Sequence, residues 1–293
     1  MFLSELFVQK NAVVSFEIFP PKTTSSIDGI YETIDALAPL RPDFISVTYG
    51  AGGSTKDKTV EIASLIKNKY NVDSLAHLTC LTAGKKDIRD ILNRLQENGV
   101  KNILALRGDY PKDGTGAIED RDFRYASDLV HYLKTNYSFC VGGACYPEGH
   151  PECASLDQDI ENLKRKVDAG VDFLITQLFY DNETFFRFKE KVIKAGIKVP
   201  IQAGIMPITN RQQVERIIEL TNAKIPPRLY RILDKFEGNK EAVKDAGLAF
   251  ATEQIVELLA NDVDGVHIYT MNRPQVAKTL IWNLESLIYA INS

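Results

Sequence analysis

The chain has 293 residues, of which 44% are hydrophobic and 25% are charged. Its 35 Lys and Arg residues against 39 Asp and Glu residues leave a formal net charge of −4, without the basic excess typical of nucleic-acid-binding proteins. No apolar run approaches the roughly 18 residues of a membrane-spanning helix, and the segment from Met1 to Lys10 lacks the features of a signal peptide. We therefore expect a cytosolic globular protein with neither a nucleic-acid nor a membrane partner.

The four cysteines include no C-x-x-C pair, which favours reduced thiols over disulfides or a zinc site. Cys145, His150 and Cys153 form a C-x4-H-x2-C cluster, but three residues without a second ligand pair are a weak zinc signal. No metal is predicted.

Short apolar runs recur along the chain, each followed by a longer amphipathic helical pattern. Their starts are 28 to 37 residues apart, except for a gap of 65 before the last one. Strands that alternate with helices at this spacing indicate parallel βαβ units. The predicted strands are Val13–Phe19, Phe44–Tyr49, Ser74–Cys80, Asn102–Asp109, Phe139–Tyr146, Asp172–Leu178, Pro200–Ile205 and Gly265–Thr270.

Eight such units predict an α/β fold, a (β/α)8 TIM barrel formed by one domain over residues 1–293. The competing doubly wound sheet usually has a G-x-G-x-x-G turn after its first strand, where this chain has Pro20-Pro21. The long gap before the last strand contains Pro226-Pro227 and a helical pattern from Lys240 to Leu259. We interpret residues 226–260 as helices added to the barrel.

Polar residues stand at or just beyond the ends of nearly all predicted strands. Because the carboxyl ends of barrel strands share one face, these side chains should converge there on an active site. Only the seventh strand ends in apolar residues. The converging residues are Glu17, Thr48, Tyr49, His77, Thr79, Arg107, Asp109, Tyr146, Gln177, Tyr269 and Arg273.

Glu17 is the best candidate for a general acid. It lies between Phe16 and Ile18, so on a pleated strand it faces away from both, and a carboxyl group in an apolar pocket acquires a raised pKa. A salt bridge in the barrel mouth is the alternative interpretation. His77 is either a cofactor contact or a hydrogen-bonded barrel histidine. Arg107-Gly108-Asp109 is either an internal ion pair or a cofactor clamp.

The helix after the fifth strand carries a polar stripe beside its apolar seam. Asp159, Asn162 and Lys166 lie at i, i+3 and i+7, as expected of a surface that binds the polar part of a cofactor or of a solvated flank. Arg165 falls on the side of the helix opposite the apolar seam, which predicts a solvent-exposed side chain. Helix N-termini of a barrel point toward the active face and favour anionic groups there, so a phosphate-containing cofactor suits this layout.

Nine segments together resemble methylenetetrahydrofolate reductases of the short bacterial type, in order and register from about residue 12 to the C-terminus. They are Ser15–Lys22, Val47–Ala51, His77–Cys80, Leu106–Asp109, Tyr125–Val130, Tyr146–Pro151, Leu163–Gly170, Thr176–Asp181 and Tyr269–Arg273.

The resemblance implies an FAD-carrying barrel that works by ping-pong hydride transfer in one-carbon metabolism and methionine synthesis. NADH or NADPH would reduce the FAD and leave, and 5,10-methylenetetrahydrofolate would then be reduced to 5-methyltetrahydrofolate. Ring opening of that substrate needs a proton at N10, and the family assigns this proton to the carboxyl that matches Glu17. Asp109 matches a second catalytic carboxylate, which stabilises the cationic iminium.

The resemblance also implies the binding residues. Those implied for FAD are Thr48, Tyr49, Ala51, His77, Arg107, Gly108, Asp109, Ala126, Tyr146, His150, Asp159, Asn162, Arg165 and Lys166. Those implied for folate are Glu17, Gln177, Gln213, Tyr269 and Arg273. For Arg165, the FAD contact that the resemblance implies conflicts with the solvent-exposed position that the helical period predicts.

Two residues depart from the family pattern. Arg211 stands where some relatives have an aromatic residue, and Cys153 stands where a small residue is expected. The chain ends after the barrel, so we expect no S-adenosylmethionine-binding regulatory domain. A homo-oligomer and, in some relatives, a protein electron donor are further expectations from the family.

Two other functions fit parts of the pattern. One is a flavin-free folate barrel for pterin-dependent methyl transfer, which would not need the Arg107 and Asp159 segments. The other is a non-catalytic flavin- or folate-binding protein, which would not need Glu17.

Overall fold

Eight parallel strands close into a barrel in the computed structural model, which describes residues 1–21, 27–49, 53–110, 121–221 and 223–293, with side chains omitted at 53–56 and 220. The strands are β1 (Val13–Ile18), β2 (Phe44–Val47), β3 (Asp73–Thr79), β4 (Asn102–Leu106), β5 (Cys140–Cys145), β6 (Phe173–Thr176), β7 (Ile201–Ile205) and β8 (Gly265–Tyr269). Each overlaps its predicted strand, so the (β/α)8 prediction is confirmed.

Helices follow or flank these strands around the outside of the barrel. They are α1 (Leu3–Gln9), α2 (Asp28–Leu37), α3 (Gly53–Tyr70), α4 (Lys85–Glu97), α5 (Ala126–Asn136), α6 (Leu156–Asp168), α7 (Asn182–Lys194), α8 (Arg211–Thr221), α9 (Pro227–Phe236), α10 (Lys240–Ala260) and α11 (Pro274–Asn292). No helix in the described ranges is long and apolar enough to span a bilayer.

The strands pair in chain order, and β8 closes the barrel by pairing in parallel with β1. In this register Glu17 lies opposite Ser46 of β2 on one side and Tyr269 of β8 on the other. Barrel closure therefore brings the two ends of the chain together at the position of the candidate acid.

The pleat sorts side chains between the two sides of the barrel wall. Phe16 and Ile18 are buried in the large core between sheet and helices, as the period-2 pattern predicts. Val13 belongs to a second apolar cluster, built from the first residues of several strands and from Leu3 and Leu6 of α1. The backbone N–H of Leu3 donates to Oδ1 of Asn102 at 2.9 Å, so α1 is fastened across the amino end of the barrel.

Several strands end earlier than the sequence predicts. Strand β4 stops at Leu106, three residues before the predicted end at Asp109, because Gly108 adopts a left-handed φ of 87° that breaks the extended backbone. A Cβ at Gly108 would also lie 3.0 Å from the Cβ of Thr79. The turn therefore depends on glycine and directs the residues after β4 away from the sheet.

The added helices are confirmed as α9 and α10. Their buried residues Leu229, Leu233 and Val243 pack in a third apolar cluster with Leu178 and Ile208, from the loops after β6 and β7. The added helices thus cover loops at the carboxyl face of the barrel.

Candidate active site

Glu17 lies at the carboxyl end of β1 and is only 6% exposed. Its Oε2 is 3.3 Å from Nε2 of His267 and 3.5 Å from Nε2 of His77. Ser46 Oγ donates to the same oxygen at 3.4 Å. The surroundings are thus a buried polar centre inside the barrel mouth, with one carboxyl oxygen facing two imidazoles and a hydroxyl.

The proton of His267 can be assigned from its neighbours. Gln202 Nε2 donates to Ser15 Oγ at 2.9 Å, and the Ser15 hydroxyl lies 2.7 Å from Nδ1 of His267. With the Ser15 hydroxyl donating to Nδ1, the ring proton lies on Nε2. That N–H faces the Glu17 carboxyl group, so the chain Gln202–Ser15–His267 orients a donor toward the candidate acid.

His77 contributes a neutral imidazole to the same centre. Burial is the main cause that lowers its pKa to about 4; the nearby Glu17 opposes this shift and His267 adds to it. Its Nε2 is buried and has no hydrogen-bond partner among the described residues. A buried polar atom without a partner is costly, which is typical of a position that a bound group completes.

A cavity of about 540 Å³ lies over the ends of β4 and β5, between the N-terminus of α5 and one face of α6. Its size is within the range of small-molecule sites. Eight of the residues predicted for FAD line it, namely Arg107, Ala126, Tyr146, His150, Asp159, Asn162, Arg165 and Lys166. The structure thus brings these eight side chains together around one cavity.

Three cations face this cavity. Arg107 forms two hydrogen bonds of 2.6 Å with the carboxylate of Glu152. Lys166 donates from Nζ to the backbone oxygen of Ala144, and burial lowers its pKa. Arg165 Nη1 donates to Oδ1 of Asn162 at 3.3 Å. The cavity therefore combines positive charge with the polar stripe of α6.

The placement of Arg165 reconciles its two sequence interpretations. Its side chain is exposed, as predicted, but it also lines the cavity that Asn162 and Lys166 line. A residue three positions after Asn162 lies on the neighbouring row of the helix, and the long arginine side chain spans the remaining angle. Arg165 is therefore both exposed and part of the cavity wall, and its assignment to FAD stays a prediction.

Other cavity residues are held by local hydrogen bonds. Asp159 Oδ2 accepts from the backbone N–H of His150 at 3.0 Å, which ties α6 to the loop after β5. Tyr146 packs edge-on against the His150 ring at 4.7 Å between centroids. Burial raises the pKa of Tyr146 to about 12 and, as the largest cause, lowers that of His150. Both rings are uncharged at neutral pH.

Of the remaining residues predicted for FAD, those that the structure describes lie outside the lining of this cavity. Thr48 and Tyr49 follow β2, and the Tyr49 hydroxyl is buried without a partner in the described part of the chain. Gly108 forms the turn after β4, and Asp109 is exposed just beyond it. Ala51 lies outside the described residues.

The residues predicted for folate occupy two places. Tyr269 donates to the backbone oxygen of Thr176 at 2.7 Å and packs edge-on against His267 at 5.2 Å, beside the Glu17 centre. Gly204 leaves room for the Tyr269 ring, because a Cβ at position 204 would lie 2.8 Å from that ring. Gln177 is half-buried after β6, and its Oε1 accepts from the backbone N–H of Leu178 at 2.9 Å.

Gln213 and Arg273 form the second group through Thr209. The Thr209 hydroxyl donates to Oε1 of Gln213 at 3.2 Å and accepts from Nη1 of Arg273. Loop β7–α8 and the segment after β8 are therefore joined at this point by the two residues that the resemblance assigns to folate.

The two departures from the family pattern have defined surroundings. Arg211 pairs with Asp234 of α9 and, at 3.4 Å, with Glu237, so it links the start of α8 to the added helices. Cys153 lines the cavity, with Sγ 3.6 Å from both Oδ1 of Asp159 and Nδ2 of Asn162.

His267 and Ser46 were missed by the sequence analysis. His267 lies two residues before Tyr269, so on the pleat it faces the same side, and this alternation was the signal that could have identified it. Ser46 lacks such a signal within its short apolar strand. In the parts of the chain that the structure covers, no three His, Cys, Asp or Glu side chains are grouped as a metal site.

Comparisons with known proteins agree with this architecture. The family model for methylenetetrahydrofolate reductase matches residues 3–285. The chain is 39% identical over 277 residues to 5,10-methylenetetrahydrofolate reductase of Escherichia coli strain K12, a match that covers 94% of this chain and 92% of the relative.

Longer relatives and a solved structure extend the comparison. The chain is 39% identical to methylenetetrahydrofolate reductase 1 of Schizosaccharomyces pombe, covering 95% of this chain and 47% of that protein. It is 38% identical to methylenetetrahydrofolate reductase (NADH) 1 of Arabidopsis thaliana, covering 94% and 49%. The chain thus spans about half the length of these two relatives.

An uncharacterized protein from Clostridium thermocellum, described as binding two copies of 5-methyl-5,6,7,8-tetrahydrofolic acid, has the same fold with a TM-score of 0.65. The two chains are 14% identical, and the match covers 99% of this chain and 100% of that one. With a family model over nearly its whole length and a bacterial relative matched almost end to end, this chain belongs to the methylenetetrahydrofolate reductase family.

Proposed function

We propose that the chain reduces 5,10-methylenetetrahydrofolate to 5-methyltetrahydrofolate, with FAD as its resident cofactor and NADH or NADPH as the electron donor. The names of the bacterial and plant relatives support the folate substrate and, for the plant enzyme, the nicotinamide donor. The single structural observation that carries the proposal is the buried Glu17 carboxyl group facing two imidazoles, in a barrel that also has a cationic cavity.

The cavity residues fit an FAD-sized anion. Arg107, Arg165 and Lys166 supply positive charge, and the N-terminus of α5 at Ala126 adds its partial positive charge on the same wall. Tyr146 and His150 supply flat aromatic surfaces. FAD, when bound, would accept hydride from the nicotinamide and return it to the folate.

The chemistry assigned to the protein is proton delivery. The imidazolidine ring of the folate opens only when its N10 is protonated, and a carboxyl group held inside the barrel mouth is suited to supply that proton. His267 and Ser46 hold the carboxyl group by hydrogen bonds, so its orientation is set before the substrate arrives. Asp109 at the exit of β4 supplies a negative charge that would stabilise the cationic ring-opened substrate.

Gln177, Gln213 and Arg273 would orient the folate. Gln213 and Arg273 are already cross-linked through Thr209, so their amide and guanidinium groups are presented together. Tyr269 is anchored to Thr176 and forms a wall of the acid centre. Preorganised donors of this kind reduce the entropy that the substrate loses on binding.

An anaerobic absorbance titration tests the proposal. The purified protein should show a flavin spectrum, bleach on addition of NADH, and recover its colour on addition of methylenetetrahydrofolate. Flavin that is reduced only by another donor would retain the folate reaction and replace the nicotinamide with a protein partner. A colourless protein that cannot be reconstituted with FAD would reject the proposed cofactor in favour of a flavin-free folate barrel.

A further inference from the structure

The anion-binding face of Arg107 is occupied by a carboxylate of the same chain. Both terminal nitrogens of Arg107 donate to Glu152, Nη1 to Oε2 and Nη2 to Oε1, each at 2.6 Å. This fork-to-fork arrangement is the one that arginine also uses to bind phosphate. Glu152 therefore lies where a phosphate oxygen pair of a ligand would bind.

The rest of Arg107 is held in place independently of Glu152. Its Nε donates to the backbone oxygen of Gly108 at 3.2 Å, and its guanidinium carbon lies 4.9 Å from the centroid of the Tyr110 ring. The Arg107 side chain is 18% exposed, whereas that of Glu152 is 51% exposed. Arg107 is thus a fixed element of the cavity wall, and Glu152 is the partner that can swing into water.

Glu152 is one of the charged groups that set the electrostatic potential of the cavity. Among the described residues that line the cavity, three cations, Arg107, Arg165 and Lys166, face two carboxylates, Glu152 and Asp159. Asp159 is committed to the backbone N–H of His150. Both carboxylate oxygens of Glu152, by contrast, accept from Arg107. Movement of Glu152 into water would therefore expose the Arg107 guanidinium and take a negative charge away from a negatively charged ligand.

We infer that Glu152 is a displaceable occupant of Arg107 that gives way to a phosphate group of the bound cofactor and thereby limits the affinity of the cavity for FAD. The inference rests on the proposed function, because it takes FAD as the ligand. Arg107 would then be paired with an anion in both states, with Glu152 before FAD binds and with the phosphate group afterwards. Its cost is the lost Arg107–Glu152 interaction, and hydration of the half-exposed Glu152 offsets part of that cost.

Flavin binding to the full-length protein stripped of its cofactor tests this directly. Glu152→Gln keeps the shape of the side chain but removes its charge, and FAD should bind about tenfold more tightly, as measured by flavin fluorescence. Glu161→Gln makes the same charge change on α6 at an exposed residue that does not line the cavity, and should leave the affinity unchanged. The gain for Glu152→Gln should shrink as salt is raised.

A double-mutant cycle separates competition for Arg107 from a general charge effect. In an Arg107→Gln background the Glu152→Gln change should tighten FAD binding much less, because the carboxylate then has no guanidinium to occupy and only the general charge effect remains. An equal gain in both backgrounds would overturn the inference. So would unchanged or weaker binding by Glu152→Gln alone, since weaker binding would mean that Glu152 orients Arg107 for the cofactor.

The two proposals fail in different ways. If neither the unmodified protein nor any variant binds FAD, the proposed cofactor is wrong and the inference falls with it. If the unmodified protein binds FAD and Glu152→Gln does not bind it more tightly, only the inference is wrong. Matching circular dichroism spectra and unfolding midpoints would establish that the variants are folded.

Discussion

The carboxylate of Glu17 and the imidazole of His267 meet 3.3 Å apart, although 250 residues separate them in the chain. The contact exists because β8 pairs with β1 and closes the barrel. It links the candidate proton donor to a buried hydrogen-bond chain through Ser15 and Gln202. Substitution of Glu17 and substitution of His267 therefore test this contact separately.

Glu17→Gln should separate the two half-reactions. The amide cannot deliver a proton, so reduction of methylenetetrahydrofolate should fall by about 10²- to 10⁴-fold, the usual contribution of a general acid. FAD binding and bleaching by NADH should be retained, because neither needs that proton. Single-turnover absorbance measurements of each half-reaction would show the difference. Unchanged reoxidation by the folate would exclude Glu17 as the acid.

His267→Gln should impair the folate half-reaction to a smaller extent. The change removes the donor that faces Glu17 and the acceptor of the Ser15 hydroxyl, so the carboxyl group loses a fixed orientation. We expect a rate reduced by about 10- to 100-fold, corresponding to the loss of roughly 1.5–3 kcal/mol of a charge-assisted hydrogen bond. The pH profile of reoxidation should shift, and His131→Gln on the exposed face of α5 is the control. Equal rates for both variants would contradict this role.

His77 should make the folded protein sensitive to acid. Burial lowers its pKa from the ordinary 6.5 to about 4 in the folded state, so between these pH values the unfolded chain binds a proton that the folded chain does not. The resulting stability is present above pH 6.5 and is lost as the pH falls toward 4, up to about 3 kcal/mol. Urea unfolding from pH 7 to pH 4 should show a smaller loss for His77→Gln than for the unmodified protein. Identical losses would show that His77 is not a source of the acid sensitivity.

Gly247→Ala should destabilise the protein, although alanine is normally the better helix former. A Cβ at Gly247 would lie 1.7 Å from the backbone oxygen of Ile208, so α10 would have to move away from the loop after β7. We expect a loss of about 1–3 kcal/mol, the usual cost of overpacking, with a lower thermal midpoint. Gly29→Ala in α2 is the matched control, because this glycine is also helical and no atom lies within 4 Å of its added Cβ. A neutral Gly247→Ala would mean that α10 is not seated on that loop.

Much of the fold follows from local sequence patterns. The spacing of apolar runs predicted all eight strands, and α10 begins at Lys240 as the helical pattern indicates. The ends of the strands were less predictable. The predicted second and fourth strands end at Tyr49 and Asp109, whereas β2 ends at Val47 and β4 at Leu106. At Gly108, the backbone conformation that ends the extended stretch is visible only in three dimensions.

The sequence by itself determined the barrel class, from the repeating strand–helix units, and two local features. These are the inward-facing side chain of Glu17, from a period of 2, and the common face of Asp159, Asn162 and Lys166, from a period of about 3.6 residues. Only the tertiary structure decided that His267 and Ser46 surround Glu17, that Glu152 holds Arg107, and that Arg211 is tied to α9. These pairings join residues distant in the sequence or depend on side-chain conformation, and no local period encodes either. Closure of the sheet and packing of the helices select them.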